Sequence, residues 1–206
     1  LGAADDQAEA IVQNFAKQGK GALNVQQVLK GAGSASNSLA LSVKGGQEGL
    51  LKAAANAQRL GLNLQQAEAI ADSLLDFEQS ISNELEAELL TGKSLNLEKA
   101  RELALSNDLE GVAKELTKNQ GIMNAFASGN RIQQEAVAKA MGMSREEMSQ
   151  MIYQQQLQSG LSSEQAAKAA DISLEEAKRL TVQKQISNAL DKITQAFGGI
   201  LTLITP

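Results

Sequence analysis

Apolar positions along this chain recur mostly at intervals of three and four, the period of helices with one buried face. The longest run spans residues 64–90. There Ala67, Ile70, Leu74, Phe77, Ile81, Leu85 and Leu89 form one stripe, with Glu and Gln opposite. The pattern predicts a single helical rod, roughly 40 Å long at 1.5 Å per residue. Thr91-Gly92-Lys93 ends it, with Gly92 suited to a left-handed C-cap. A second narrow stripe, Val182, Ile186, Leu190, Ile193 and Phe197, lies in a helical run over 173–197 that Gly198-Gly199 interrupts.

Between the two stripes the texture changes. Short helices are predicted near 96–106, 108–118, 120–127, 131–141 and 144–158, punctuated by Gly111, Gly121, Gly129 and Gly142. Such helices are marginal alone and must pack on one another. Leu97, Leu103, Leu105, Leu109, Val112, Leu116, Ile122, Met123, Phe126, Ile132, Val137 and Met141 are the expected core. Residues 1–57 are the loosest part. Helices are expected at 7–16, with Ala10, Ile11 and Phe15 on one face, and at 47–58. The stretch Gly31-Ala32-Gly33-Ser34-Ala35-Ser36-Asn37-Ser38 reads as a breaker. Leu39, Leu41 and Val43 alternate with Ala40 and Ser42, so a short strand is an alternative there, although it would have nothing to pair with.

Helix starts are well marked. Five stretches carry an apolar residue, then Asn or Ser, then a polar pair: Leu62-Asn63, Leu95-Asn96, Met143-Ser144, Leu161-Ser162 and Ile172-Ser173 open them. The Asn or Ser is an N-cap, accepting a backbone hydrogen bond that the helix cannot satisfy itself. Glu147, Gln165 and Glu176 stand three places on and complete capping boxes. Gln66 fits Asn63 more loosely, and Lys99 cannot accept the bond that Asn96 would need. The expected fold is therefore all-α: extended helices plus a compact cluster of short ones, with coiled-coil contacts between copies as one use of the stripes. Four regions are expected: a loosely structured Gly/Ala/Ser-rich helical region over 1–60, a long amphipathic helix over 61–93, a compact short-helix domain over 94–158, and a helical hairpin or extended helix over 160–206 running into an apolar segment.

Composition narrows the chemistry. The 206 residues include no Cys, no His and no Trp, and aromatics make up 2%. Apolar mass in Ala, Leu, Ile, Val and Met suits slim helix–helix seams. Without His or Cys no Ser-His-Asp triad, Cys-His dyad, His-containing zinc site or disulfide can form within the chain. No Asp-x-Asp-x-Asp-Gly calcium loop, phosphate-binding Gly-x-x-x-x-Gly-Lys-Ser/Thr or Gly-x-Gly-x-x-Gly motif is present. A formal net charge of −5, with scattered Lys and Arg, opposes a general nucleic-acid surface. There is no visible signal peptide. The apolar run 198–206 is far shorter than the roughly 20 residues that span a bilayer. Both ends read as cuts in a longer polypeptide.

Several features have a plain reading beside a sharper one. Glu84, Glu86 and Glu88 could be a metal or catalytic group. Residues two apart on a helix point to different sides, so a solvated face is the expectation. Met141, Met143, Met148 and Met151 suit core packing or an adaptable groove. Tyr153 before Gln154-Gln155-Gln156 reads as an exposed helix end. The stripes at 67–89 and 182–197 suit a seam within the chain or between copies. Ile70, Leu74, Phe77, Ile81, Leu85, Ile186, Leu190, Ile193 and Phe197 are the candidate partner-interface residues. No catalytic, cofactor-binding or metal-binding residue is assigned, and no cofactor is expected.

The block from Leu62 to Tyr153 carries a family resemblance. Ile70-Ala71-Asp72-Ser73-Leu74-Leu75-Asp76-Phe77-Glu78, Glu84-Leu85-Glu86-Ala87-Glu88-Leu89-Leu90-Thr91-Gly92-Lys93, Leu95-Asn96-Leu97-Glu98-Lys99-Ala100-Arg101, Gly111-Val112-Ala113-Lys114-Glu115-Leu116 and the run 132–143 resemble a segment of phage tail tape measure proteins. The resemblance implies a non-enzymatic, mostly helical virion protein lying in the tail tube lumen or at the tip. It implies control of tail length and release at DNA ejection. Implied partners are other copies of the chain (a homo-oligomer, with a trimer as the expected count), tail tube and tail tip or hub proteins, and a host membrane beyond the C-terminal end. Sequence-specific nucleic-acid binding is not implied. Assembly would take place in the host cytoplasm. The rival reading is a helical adaptor or scaffold binding partner helices. A wall-degrading hydrolase using a carboxylate pair is a third class, for which no pair is placed by spacing.

Overall fold

Capping chemistry sets where the helices begin. In the computed structural model, which describes residues 2–17, 23–182 and 189, Asn63 and Gln66 form a full box. The Gln66 N–H donates to Asn63 Oδ1 at 2.8 Å, and the Asn63 N–H donates to Gln66 Oε1 at 2.9 Å. Ser144 with Glu147 and Ser162 with Gln165 do the same. Ser173 accepts from the Glu176 N–H at 3.1 Å, but the Glu176 carboxylate pairs with Arg179. Asn130 with Gln133 makes a further box. Its cap follows Gly129 rather than an apolar residue, so it falls outside the repeated signature.

The described residues are all-α, without a strand. The order is α1 (Gly2–Lys17), α2 (Val25–Gly33), α3 (Asn37–Ser42), α4 (Gly46–Arg59), α5 (Leu64–Leu75), α6 (Phe77–Thr91) and α7 (Glu98–Leu105). Then come α8 (Leu109–Lys118), α9 (Gln120–Ser128), α10 (Arg131–Ala140), α11 (Arg145–Gln158), α12 (Ser163–Ala169) and a helical run over 174–182. α4 packs on α2, α5 and α8. α7 packs on α5 and α8, α6 on α10, and α11 on α10 and α12. One contiguous apolar cluster runs through all of this, from Ala8 to Ala177. Residues 46–59 therefore share their core with the short-helix block.

Three expectations change. The rod over 64–90 is broken at Asp76, which closes α5 and caps α6 by accepting from the Gln79 N–H at 3.3 Å. The alternation at Leu39–Val43 is a helix, not a strand. Ser36 caps it, and Leu39 and Val43, four apart, are buried while Leu41 is exposed. Of the expected core, Leu105 and Ile132 are exposed and Leu103 is half-buried; the rest is buried.

The Ser144 cap is also a pH-sensitive joint. Glu147 accepts from the Ser144 N–H at 2.8 Å and from Gln66 Nε2 at 2.7 Å, tying α11 to α5. The Ser144 backbone bond, above all, holds this carboxyl below the ordinary range, against partial burial. A depressed folded pKa gives stability that is complete above the unfolded value and is lost as pH falls through the folded one. Glu147→Ala is expected to cost about 1 kcal/mol near neutral pH and clearly less near pH 2. Urea midpoints at the two pH values measure the difference, and equal losses at both would show that the charge is irrelevant.

Candidate interaction face

α6 is inside out. Its inward residues are Ser80, Asn83, Glu84 and Ala87. An apolar stripe faces outward, with Phe77 44%, Ile81 46%, Leu85 54% and Leu89 85% exposed. A surface helix ordinarily buries its apolar stripe. Here the polar side can go inward because each of its groups is bonded there. Arg101 of α7 donates from Nε to Ser80 Oγ at 2.9 Å and pairs its guanidinium with the Glu84 carboxylate. The other Glu84 oxygen accepts from the Leu97 N–H at 2.8 Å. Leu97 is the N-cap of α7 and has no side-chain cap bond of its own, so Glu84 caps α7 from the neighbouring helix. Asn96, at φ 53, does not cap it. Gln79 Nε2 donates to Asn83 Oδ1 at 2.7 Å.

The three carboxylates read from sequence as a solvated face therefore split. Glu84 is buried. Glu88 is half-buried and accepts from the Leu95 N–H at 2.8 Å and from Ser94 Oγ at 3.1 Å. Glu86 is exposed and meets Lys139 of α10 at 3.1 Å. None shares a ligand position with another. Among the described residues no group of three His, Cys, Asp or Glu is placed to hold a metal ion.

The candidate interface residues fare differently. Ile70 and Leu74 are core, at 5% and 0% exposure, so they are not available to a partner. The kink at Asp76 turns the continuous stripe so that its first half faces in and its second half faces out. Phe77, Ile81 and Leu85 line a groove of about 580 Å³ with Leu105 of α7 as the far wall. Glu88, Glu98 and Glu102 stand along it, and the Glu84–Arg101 pair also lines it. Ile186, Leu190, Ile193 and Phe197 lie outside the described residues. Leu105 and Leu89 belong to this face too. Leu105, expected in the core, lies outside it at 66% exposure, because a helical period shows that a face is apolar but not what covers it.

A polar cleft of about 880 Å³ lies elsewhere, between the α4–α5 turn, α11 and the 174–182 helix. Its lining includes Gln58, Gly61, Ser149, Gln154, Arg145 and Asp171. Arg145 bonds Gln134 Oε1 at 2.8 Å and Asp171 at 3.0 Å, so its charge is already matched. The buried Ser149 hydroxyl has no partner, and a chain without His has no imidazole to activate it. The carboxyls with resolved shifts, at Glu48, Glu102, Asp108 and Glu147, are all held below the ordinary range. A general acid working near neutrality needs the opposite shift.

No family model matches the chain, and no curated protein or solved structure matches it either. Among the described residues no helix is long and apolar enough to cross a membrane.

Proposed function

We propose that this chain is a non-enzymatic structural protein of the tail tape measure type, present in several copies in the tail lumen or at its tip and working by helix-mediated association. The observation that carries the reading is the outward apolar ridge of α6, which sits inside the 62–153 block resembling that family. A helix that presents Phe77, Ile81, Leu85 and Leu89 to solvent while holding an ion pair inside is built to be covered by something else. The absence of His and Cys and the lowered carboxyls agree with a role through shape.

The fold refines what such a protein could measure. An extended helix contributes 1.5 Å per residue to a ruler, so about 180 helical residues would reach roughly 270 Å. A compact body of that size has a radius of gyration near 16 Å and spans roughly 40 Å. In-frame deletion of residues 2–182 is expected to shorten tails by the smaller figure, or to halt tail assembly. Electron microscopy of purified particles measures this, with mass spectrometry for copy number. Normal tails of unchanged length would count against the reading. A chain missing from the particle altogether would overturn it and leave the second reading, a free helical scaffold, which the same exposed ridge supports.

A further inference from the structure

We propose that the α6 groove seats residues 182–197 of a second copy of this chain, so that copies join head to tail. The inference rests on the association reading above and names its partner.

Charge selects the occupant. α6 has no Lys or Arg, and Glu88 of α6 with Glu98 and Glu102 of α7 lines the groove beside the matched Glu84–Arg101 pair. Two α6 ridges packed face to face would bring these carboxylates together, and like charges across an interface oppose association. The complementary surface is an apolar helix face with basic flanks. The sequence holds one. Val182, Ile186, Leu190, Ile193 and Phe197 repeat at helical spacing, and within 182–197 Lys184 and Lys192 stand against Asp191. Val182, the described member of that stripe, is 51% exposed. The lengths match as well. α6 has 15 residues, and a helical segment over 182–197 would be about as long, near 22–24 Å at 1.5 Å per residue.

Topology places the partner in another molecule. The 174–182 helix is fastened to α11, where Tyr153 Oη meets Thr181 Oγ1 at 3.3 Å. α11 packs on α10 and α10 packs on α6, so two helices stand between this start point and the ridge. Ser173 to Phe197 contains no Gly or Pro. The groove is therefore assigned to a segment of a neighbouring copy. Such an interface joins two different patches, so it closes into a ring or continues as a filament, according to the angle between copies.

The natural chain has no Cys, which makes disulfide trapping clean. Full-length Leu85→Cys would be mixed under mild oxidation with full-length Ile186→Cys, Leu190→Cys or Ile193→Cys. A reducible heterodimer is expected in at least one mixture, together with a solution mass that rises with concentration and falls with salt. Ile81→Glu, at an exposed position, is expected to keep the helical circular dichroism and to weaken self-association at least tenfold. Lys184→Glu combined with Lys192→Glu should weaken it too, from the other side. A monomer at all concentrations would overturn the proposal. So would Leu85→Cys linking only to itself, which means symmetric α6 pairing. So would a Leu85→Cys/Leu190→Cys chain that closes only within one molecule. These outcomes are independent of particle content: a monomeric chain still found in tails would leave the tape measure reading standing.

Discussion

Replacing Arg101 by alanine is expected to destabilise the fold by about 3–5 kcal/mol, the usual cost of breaking a buried ion pair from one side. The side chains of Arg101 and Glu84 are 8% and 11% exposed, so the surviving carboxylate would stay in a poorly hydrated site. It would keep its bond from the Leu97 N–H and lose its counter-charge. Ser80 would lose its donor as well. For a domain of this size each kcal/mol lowers the melting temperature by roughly 2–4 °C, so a drop on the order of 10 °C is expected. Two controls locate the cause. Glu84→Leu combined with Arg101→Leu should lose less than Arg101→Ala alone, because no orphan charge remains; its residual loss is the cap on α7. Lys99→Ala removes one side of the Lys99–Glu102 pair, whose side chains are 54% and 70% exposed. That change should leave the melting temperature essentially unchanged, because solvent screens an exposed pair. If Arg101→Ala were as mild as Lys99→Ala, the inward polar face of α6 would not depend on this pair. The apolar ridge would then need another explanation.

That inverted helix also marks where sequence reading stops. The apolar period continues without interruption from Ile70 through Leu74, Phe77 and Ile81, and no Gly or Pro breaks it. A local signal was present, since Asp76 stands three places before Gln79 as an N-cap would. What periodicity could not contain was the change of side at the break. Which face of α6 turns inward depends on Arg101, which comes 17 positions after its partner Glu84. The short helices from α8 to α11 were legible because caps and glycines act within a few residues. Asn119, Asn130 and Ser144 each accept a backbone hydrogen bond from the first turn they open. α3 was ambiguous because a six-residue element shows too little of either period. α11 was legible in its start at Ser144 but not in its buried faces. It buries Met148, Ser149, Met151, Ile152, Tyr153 and Gln154, which leaves no single stripe to read.

Tyr153 carries the second large prediction, and it is the clearest case of that ambiguity. A Tyr followed by three Gln resembles an exposed helix end, yet this ring is fully buried and among the largest side chains in the core. α10 covers α11 on one side and α12 on another, which is how a polar-looking turn comes to lie inside. The hydroxyl meets Ser163 Oγ at 2.8 Å and Thr181 Oγ1 at 3.3 Å, so one side chain holds α12 and the 174–182 helix to the body. Tyr153→Ala is expected to cost about 3–5 kcal/mol through lost burial and the cavity left behind. Tyr153→Phe keeps the ring and should cost only about 1 kcal/mol, because Thr181 retains its own bond to the Ala177 carbonyl. The two variants should also differ in where they act. Hydrogen exchange in Tyr153→Phe should rise over 163–182 and stay unchanged in α4, α5 and α8, whereas Tyr153→Ala should loosen the whole core. Equal losses in both variants would assign the joint to the hydroxyl alone. Fast exchange spread evenly in Tyr153→Phe would show that the C-terminal helices unfold only with the rest. If the local loosening is found, Tyr153→Phe also tests the docking proposal, since a helix run that is no longer held to α11 would present Val182 less rigidly and weaken self-association without touching the groove.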